Sequence, residues 1–197
     1  TLFPYTTLFR SEYFTDKGSS TTYWGSVHDM TLDFQNTADQ VLAYQWYINY
    51  VIEQWEKLTP QNVELAGFYI LSEILVAKPS GWNYKYKRWD KILPPVASYL
   101  HEMKYGLYWI PYYQADGYDM TEELGIDYTW IQPNKYWDYP EKEQKKSWSW
   151  VFSTMNTYGH GMEIEFEGSK NEDRRTNSSY NPHTKHAPDI YSKVYLK

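Results

Sequence analysis

The sequence predicts an α/β protein: a truncated (βα)8 TIM-like barrel fragment with about half of the strands present. Four short apolar runs alternate with longer segments that repeat apolar residues at three- and four-residue steps. Apolar strands between helices indicate a parallel sheet covered on both faces, in either an open doubly wound sheet or a closed barrel. No glycine-rich phosphate loop follows any run, which disfavours a nucleotide-binding sheet, and four strands are half of a barrel of eight.

The helices are predicted from apolar periodicity. Residues 37–57 carry an apolar stripe, and Thr37 is the candidate N-cap. Residues 89–104 form a second helix, stopped by Gly106. A short helical turn is predicted at 119–124, and further helices are predicted at 141–158 and from 189 onward.

The strands are predicted from short apolar runs bounded by glycine or proline. They lie at 67–73, 107–112, 126–132 and 161–166. Segment 168–188 is polar and irregular, and 12–36 shows no clear element. The predicted order of strands and helices is therefore that of a partial (βα)8 domain over 12–197, cut at both ends.

The first eleven residues, TLFPYTTLFRS, match the conceptual translation of a common sequencing adapter in every position. They lack the basic front, apolar middle and small-residue cleavage site of a signal peptide. We therefore expect 1–11 to be an adapter-derived artefact that should be left out of fold reasoning, and we expect the gene to be a metagenomic fragment.

The composition excludes several classes of function. The net charge of −6 argues against a nucleic-acid partner, which needs a basic patch. The absence of Cys excludes disulfides and thiolate metal sites, and no apolar run is long enough for membrane insertion. Aromatic residues make up 20% of the chain, with 22 Tyr and 10 Trp. These amphipathic rings suit either sugar binding or a protein contact surface as well as a core.

Acidic side chains follow the predicted strands, where sites gather in parallel α/β folds. Glu73 ends the first apolar run, and a partly desolvated carboxyl group there would suit a general acid. The alternative is a Glu in the first turn of a helix, where it favours the helix dipole.

A second acidic cluster follows the last strand. Glu163 and Glu165 alternate with apolar residues and share one face. In a barrel strand they would point inward, and buried carboxylates imply a polar site, a cation or ligand hydroxyls. In a solvated edge strand the same pattern is an ordinary amphipathic strand.

Polar and aromatic side chains near the other strand ends are candidate substrate-binding residues. The set comprises Tyr112, Tyr113, Asp116, Trp130, Gln132 and Asn134. The alternatives are core packing for the rings and a proline-containing turn for the amides. His183 and His186 lie in a polar loop without further ligands, so we predict no metal and no cofactor.

The motifs GFYILSE, LYWIPYYQADGYD, DYTWIQPN and GMEIEFE, in this order, resemble the uncharacterised bacterial domain-of-unknown-function 4855 family. The resemblance covers about residues 37–197. It implies a glycoside-hydrolase-like (βα)8 barrel in a secreted or cell-surface protein, with further barrel segments needed in the full-length protein. The layout also resembles clan A retaining glycosidases, in which two strands separate the acid/base from the nucleophile.

Two classes of function follow from these residues. The first is a glycoside hydrolase, in which Glu73 protonates the leaving oxygen and Glu165 or Glu163 attacks the anomeric carbon or activates water. The second is a non-catalytic carbohydrate-binding or surface-adhesion barrel. A metal-dependent lyase or deacetylase is a third option. Both leading hypotheses predict a poly- or oligosaccharide partner.

Overall fold

The computed structural model describes residues 5–9, 26–27, 29–75, 78–79, 88–113, 115–133 and 148–163, with only the backbone described at 5–9. The chain divides into two compact units, Thr1–Thr129 and Trp130–Lys197. Within the described ranges, no helix combines the length and the apolar character needed to cross a bilayer.

The first unit is built on a parallel sheet. Strand β1 (Tyr5–Phe9) pairs with β4 (Leu65–Ile70), β4 pairs with β5 (Gly106–Trp109), and β5 pairs with the start of β6 (Tyr128–Ile131). All these pairings are parallel, which confirms the predicted α/β class. Closure into a (βα)8 barrel stays a prediction. A short antiparallel pair, β2 (Ser26–Val27) and β3 (Met30–Thr31), stands apart from this sheet.

Two helices cover one face of this sheet. Helix α1 (Thr37–Leu58) contacts α2 (Trp89–Glu102), and α2 contacts β5. The strands contribute their buried residues to the same core as these helices, namely Phe68, Ile70, Leu107 and Trp109. Of the alternate strand positions, Tyr69 and Tyr108 are half-buried, and covering of the second face stays a prediction.

The N-cap of the first helix lies one residue earlier than predicted. Asn36, rather than Thr37, is the N-cap, and its side-chain oxygen accepts a hydrogen bond from the backbone N–H of Ala38 at 3.1 Å. Asp39 reaches back and accepts from the N–H of Asp33 at 2.8 Å. The Asn36 oxygen satisfies an N–H group that a helix start leaves unpaired, and the Asp39 oxygen fixes the chain that leads into the helix. After Leu58 the chain turns through Thr59, which has a left-handed φ of 43°.

The second unit contains helix α3 (Trp148–Tyr158) and β7 (Gly161–Met162). Strand β7 pairs in parallel with the end of β6. The remaining part of the predicted helix 141–158, the end of the strand 161–166 and the helix from 189 lie outside the described residues. Segment 119–124 forms turns, and the N–H of Leu124 donates to the carbonyl of Met120 at 2.9 Å, the bond of the single helical turn predicted there.

The buried Tyr44 should make the protein sensitive to alkaline pH. Tyr44 is fully buried, and this burial raises the pKa of its hydroxyl far above the ordinary value. Above about pH 10 the unfolded chain loses a proton that the folded chain keeps, so the free energy of unfolding should fall by about 1.4 kcal/mol per pH unit from this group. Urea unfolding between pH 9 and 11.5, in about half-unit steps, measures the slope. The variant Tyr44→Phe should show a shallower slope; equal slopes would contradict the assignment.

Candidate functional site

The segment that follows β4 is fixed to β5 by a buried tryptophan. Trp109 is fully buried, and its indole N–H donates a hydrogen bond to the backbone carbonyl of Ser72 at 2.7 Å. The Ser72 hydroxyl donates to the carbonyl of Ile74 at 2.8 Å. These bonds hold the backbone on both sides of Glu73, which therefore has a defined position at the carboxyl end of β4.

The loop that follows β5 packs against the same segment. The N–H of Leu75 donates to the carbonyl of Asp116 at 3.0 Å. Gly117 has a left-handed φ of 97°, and a Cβ atom there would lie 2.8 Å from the Leu75 carbonyl oxygen. Only glycine fits this conformation and this close approach. We call the surface formed by Glu73, Tyr112, Tyr113 and Asp116 the carboxyl edge.

Tyr112 lies in the negative field of the carboxyl edge. Its side chain is half-buried, whereas Glu73 and Asp116 are exposed. Burial first, and then the charges of Asp116 and Glu73, raise the pKa of the Tyr112 hydroxyl. The phenol of Tyr112 can donate a hydrogen bond, and carboxylate oxygens accept them.

An ion pair between Lys78 and Asp119 lies beside the carboxyl edge. Lys78 Nζ donates to Asp119 Oδ2 at 2.7 Å, which joins the segments after β4 and β5. The hydrogen bond to Asp119 raises the pKa of Lys78, and the charge of Asp116 acts in the same direction. Because Lys78 is exposed, this pair contributes about 1 kcal/mol or less to stability.

A known protein family matches nearly the whole length of the chain. The family described as Domain of unknown function (DUF4855) matches residues 3–191. The chain belongs to the DUF4855 family. This confirms the family predicted from the four motifs, whereas the glycoside-hydrolase-like character stays a prediction. The match begins inside the segment predicted to be adapter-derived, and the origin of that segment also stays a prediction. No curated protein and no solved structure matches the chain.

Within this DUF4855 chain, Glu73 lies beyond the strand that it was predicted to end, and its environment also differs from the prediction. It lies three residues after the last residue of β4. Its side chain is exposed, so the expectation of a partly desolvated carboxyl group is wrong for this structure. The reason is local: hydrogen bonding of Ser72 and burial of Leu75 fix the flanking backbone without covering Glu73.

Glu163 of the DUF4855 chain lies in the second unit, directly after β7. Its side chain is half-buried, and its N–H donates to the carbonyl of Ile131 at 3.1 Å. Trp130 packs over Gly161, where a Cβ atom would lie 2.4 Å from Trp130 Cδ1. The predicted partners Glu165 and Asn134 lie outside the described residues. Pairing of Glu73 with either glutamate therefore stays a prediction.

The remaining predicted binding residues have partly open side chains. Tyr113 in the first unit and Gln132 in the second are both half-buried. Among the described residues, no group of three or more His, Asp or Glu side chains is arranged to hold a metal ion. Within the first unit, the carboxyl edge offers hydrogen bonding by carboxylates and contact by tyrosine rings.

Sequence reasoning did not identify a row of tyrosines on the second face of the sheet. In the strand register Tyr69 is opposite Tyr108, and Tyr108 is opposite Tyr128. The rings of Tyr108 and Tyr128 stack with centroids 5.2 Å apart and an interplanar angle of 14°. A signal for part of this row was present in the sequence. Tyr69 lies four residues before Glu73, and Tyr108 lies four residues before Tyr112, and both Glu73 and Tyr112 are candidate site residues.

Proposed function

We propose that this chain is a carbohydrate-binding domain and that its sugar site lies on the carboxyl edge. The observation that carries the proposal is the half-buried ring of Tyr112 in the field of two exposed carboxylates, Glu73 and Asp116. A sugar ring offers apolar C–H faces and hydroxyl edges. An aromatic ring packs against the faces, and carboxylates accept charge-assisted hydrogen bonds from the hydroxyls.

The rigidity of the edge supports binding. Trp109 anchors Ser72, and Leu75 anchors Asp116, so the backbone that carries both carboxylates is held before a ligand arrives. A preorganised site loses less conformational entropy on binding than a flexible one. In contrast, burial does not support the predicted role of Glu73 as a general acid, because the Glu73 side chain is exposed.

Glycoside hydrolysis is the second candidate, favoured by the place of Glu73 just beyond a parallel strand. Glu73 would give its proton to the leaving glycosidic oxygen, and Glu165 or Glu163 would attack the anomeric carbon or deprotonate water. A separation between the two carboxyl groups of about 5–5.5 Å corresponds to retention, and one of about 6.5–9.5 Å to inversion.

Calorimetric titration with soluble cello- and chito-oligosaccharides tests the binding proposal. The variant Tyr112→Ala should weaken the affinity of the chain for its sugar by about tenfold or more, because it removes the ring contact. Tyr50→Ala is the matched control, since Tyr50 lies on α1 and is 49% exposed. An unchanged affinity in Tyr112→Ala would place the site elsewhere, and the absence of any binding would overturn the proposal.

Release of reducing sugar separates the two candidates. If the chain is a hydrolase, Glu73→Gln should abolish turnover, because the amide keeps the shape but cannot supply the proton. Circular dichroism checks that the variant folds. Turnover that survives in Glu73→Gln would exclude Glu73 as the acid. Binding without product after long incubation would leave the binding domain as the function.

A further inference from the structure

The three tyrosines of the second sheet face form a continuous row. Their α-carbons are neighbours across β4, β5 and β6, all within the first unit. Tyr69 and Tyr108 are half-buried, and Tyr128 is 55% exposed. Partners in a parallel sheet project to the same face, so the row presents aromatic surface next to hydroxyl groups.

Two glycines fix the central ring of this row. Gly67 and Gly106 are opposite each other in neighbouring strands. A Cβ atom on Gly67 would lie 2.7 Å from Tyr108 Cε2, and one on Gly106 would lie 3.0 Å from the same atom. The Tyr108 ring therefore lies against the backbone of these two glycines, and it stacks with the ring of Tyr128 on the neighbouring strand β6. Such a ring is held in position without a ligand, which lowers the entropy cost of stacking against it.

The row continues into the carboxyl edge along β5. Leu107, Trp109 and Pro111 are buried, whereas Tyr108, Ile110 and Tyr112 are half-buried. This alternation places Tyr108 and Tyr112 on the same face, four residues apart. At about 3.3 Å per residue their Cα atoms lie about 13 Å apart along the strand, a span that one sugar ring does not cover.

We propose that Tyr108 and Tyr128 form a second sugar-binding platform, continuous with the carboxyl edge, and that the ligand is an unbranched oligosaccharide that contacts both. The proposal rests on the proposed function and narrows it, because it names a chain of sugars rather than a single sugar as the ligand. Tyrosine combines an apolar ring with a hydroxyl group, which suits a ligand that is apolar on its faces and polar on its edges.

Affinity measured against oligosaccharide length tests the platform. The probes are cellobiose with cellohexaose, and chitobiose with chitohexaose. Tyr128→Ala should weaken binding of the six-unit sugar by about tenfold and leave binding of the two-unit sugar unchanged, because only the longer ligand reaches the row. Tyr128→Phe keeps the ring and should retain affinity within about twofold. Tyr50→Ala is the control, and circular dichroism monitors folding.

The outcomes distinguish this inference from the proposed function. Equal affinity for short and long oligosaccharides, or an equal loss for both in Tyr128→Ala, overturns the platform and leaves the carboxyl edge intact. Loss of binding in Tyr128→Phe as well as in Tyr128→Ala overturns stacking as the contact. Failure of the unmodified chain to bind either series overturns the proposed function and the platform together.

Discussion

Replacing Gly67 with alanine should lower the free energy of unfolding by more than about 3 kcal/mol, enough to unfold a marginally stable chain. The new Cβ atom would lie 2.0 Å from the carbonyl oxygen of Gly106 in the neighbouring strand. Because that oxygen belongs to the backbone of a paired strand, it cannot move aside without separating β4 from β5. Urea unfolding followed by circular dichroism measures the loss.

Gly106→Ala is the matched control for this prediction. A Cβ atom on Gly106 would approach only the Tyr108 side chain, at 3.0 Å, and a side chain can give way where a backbone cannot. We expect a loss of about 1 kcal/mol there. Equal losses in the two variants would show that β4 and β5 approach each other less closely than the structure describes.

Trp109→Phe should be the second most damaging change, with a loss of about 2–4 kcal/mol. The smaller ring leaves a cavity in the core, and the carbonyl of Ser72 loses its indole donor. The segment that contains Glu73 would then be less rigid. The affinity of the carboxyl edge for a sugar should therefore fall together with the free energy of unfolding. Chemical unfolding and calorimetric titration of the same sample measure both effects.

Trp89→Phe separates packing from hydrogen bonding. Trp89 is equally buried, but its indole N–H has no hydrogen-bond partner among the described residues. This variant should lose only the packing contribution, and it should be about 1–2 kcal/mol less destabilised than Trp109→Phe. Identical losses in both variants would mean that the bond to Ser72 contributes nothing to stability.

The strands and helices followed from local patterns. The apolar runs at 67–73, 107–112 and 126–132 overlap β4, β5 and β6, and the periodic segments overlap α1 and α2, with bounds that differ by up to three residues. These elements bury one face or one stripe, and burial of that kind leaves a repeat in the sequence. The N-cap was misplaced by one residue because Asn36 and Thr37 can both accept the capping bond, and only the backbone angles select Asn36.

The candidate site was only partly predictable for a physical reason. The place of Glu73 after a strand is a property of the local sequence, but its exposure depends on which distant residues cover it. The contact of Trp109 with Ser72 spans 37 positions, and the tyrosine row exists only because the strand register aligns three residues from separate segments. Register depends on long-range packing, which no short motif records.

The pairing of Tyr5–Phe9 with β4 has a consequence for solubility. A sheet edge is recognised through its backbone N–H and carbonyl groups, so a strand of unrelated origin can occupy it as readily as a native one. While Tyr5–Phe9 is paired, this side of Leu65–Ile70 is shielded. A chain shortened past Phe9 would present that side to other molecules as a template for intermolecular β-sheet, so the Tyr5–Phe9 strand protects the chain against aggregation whatever its origin.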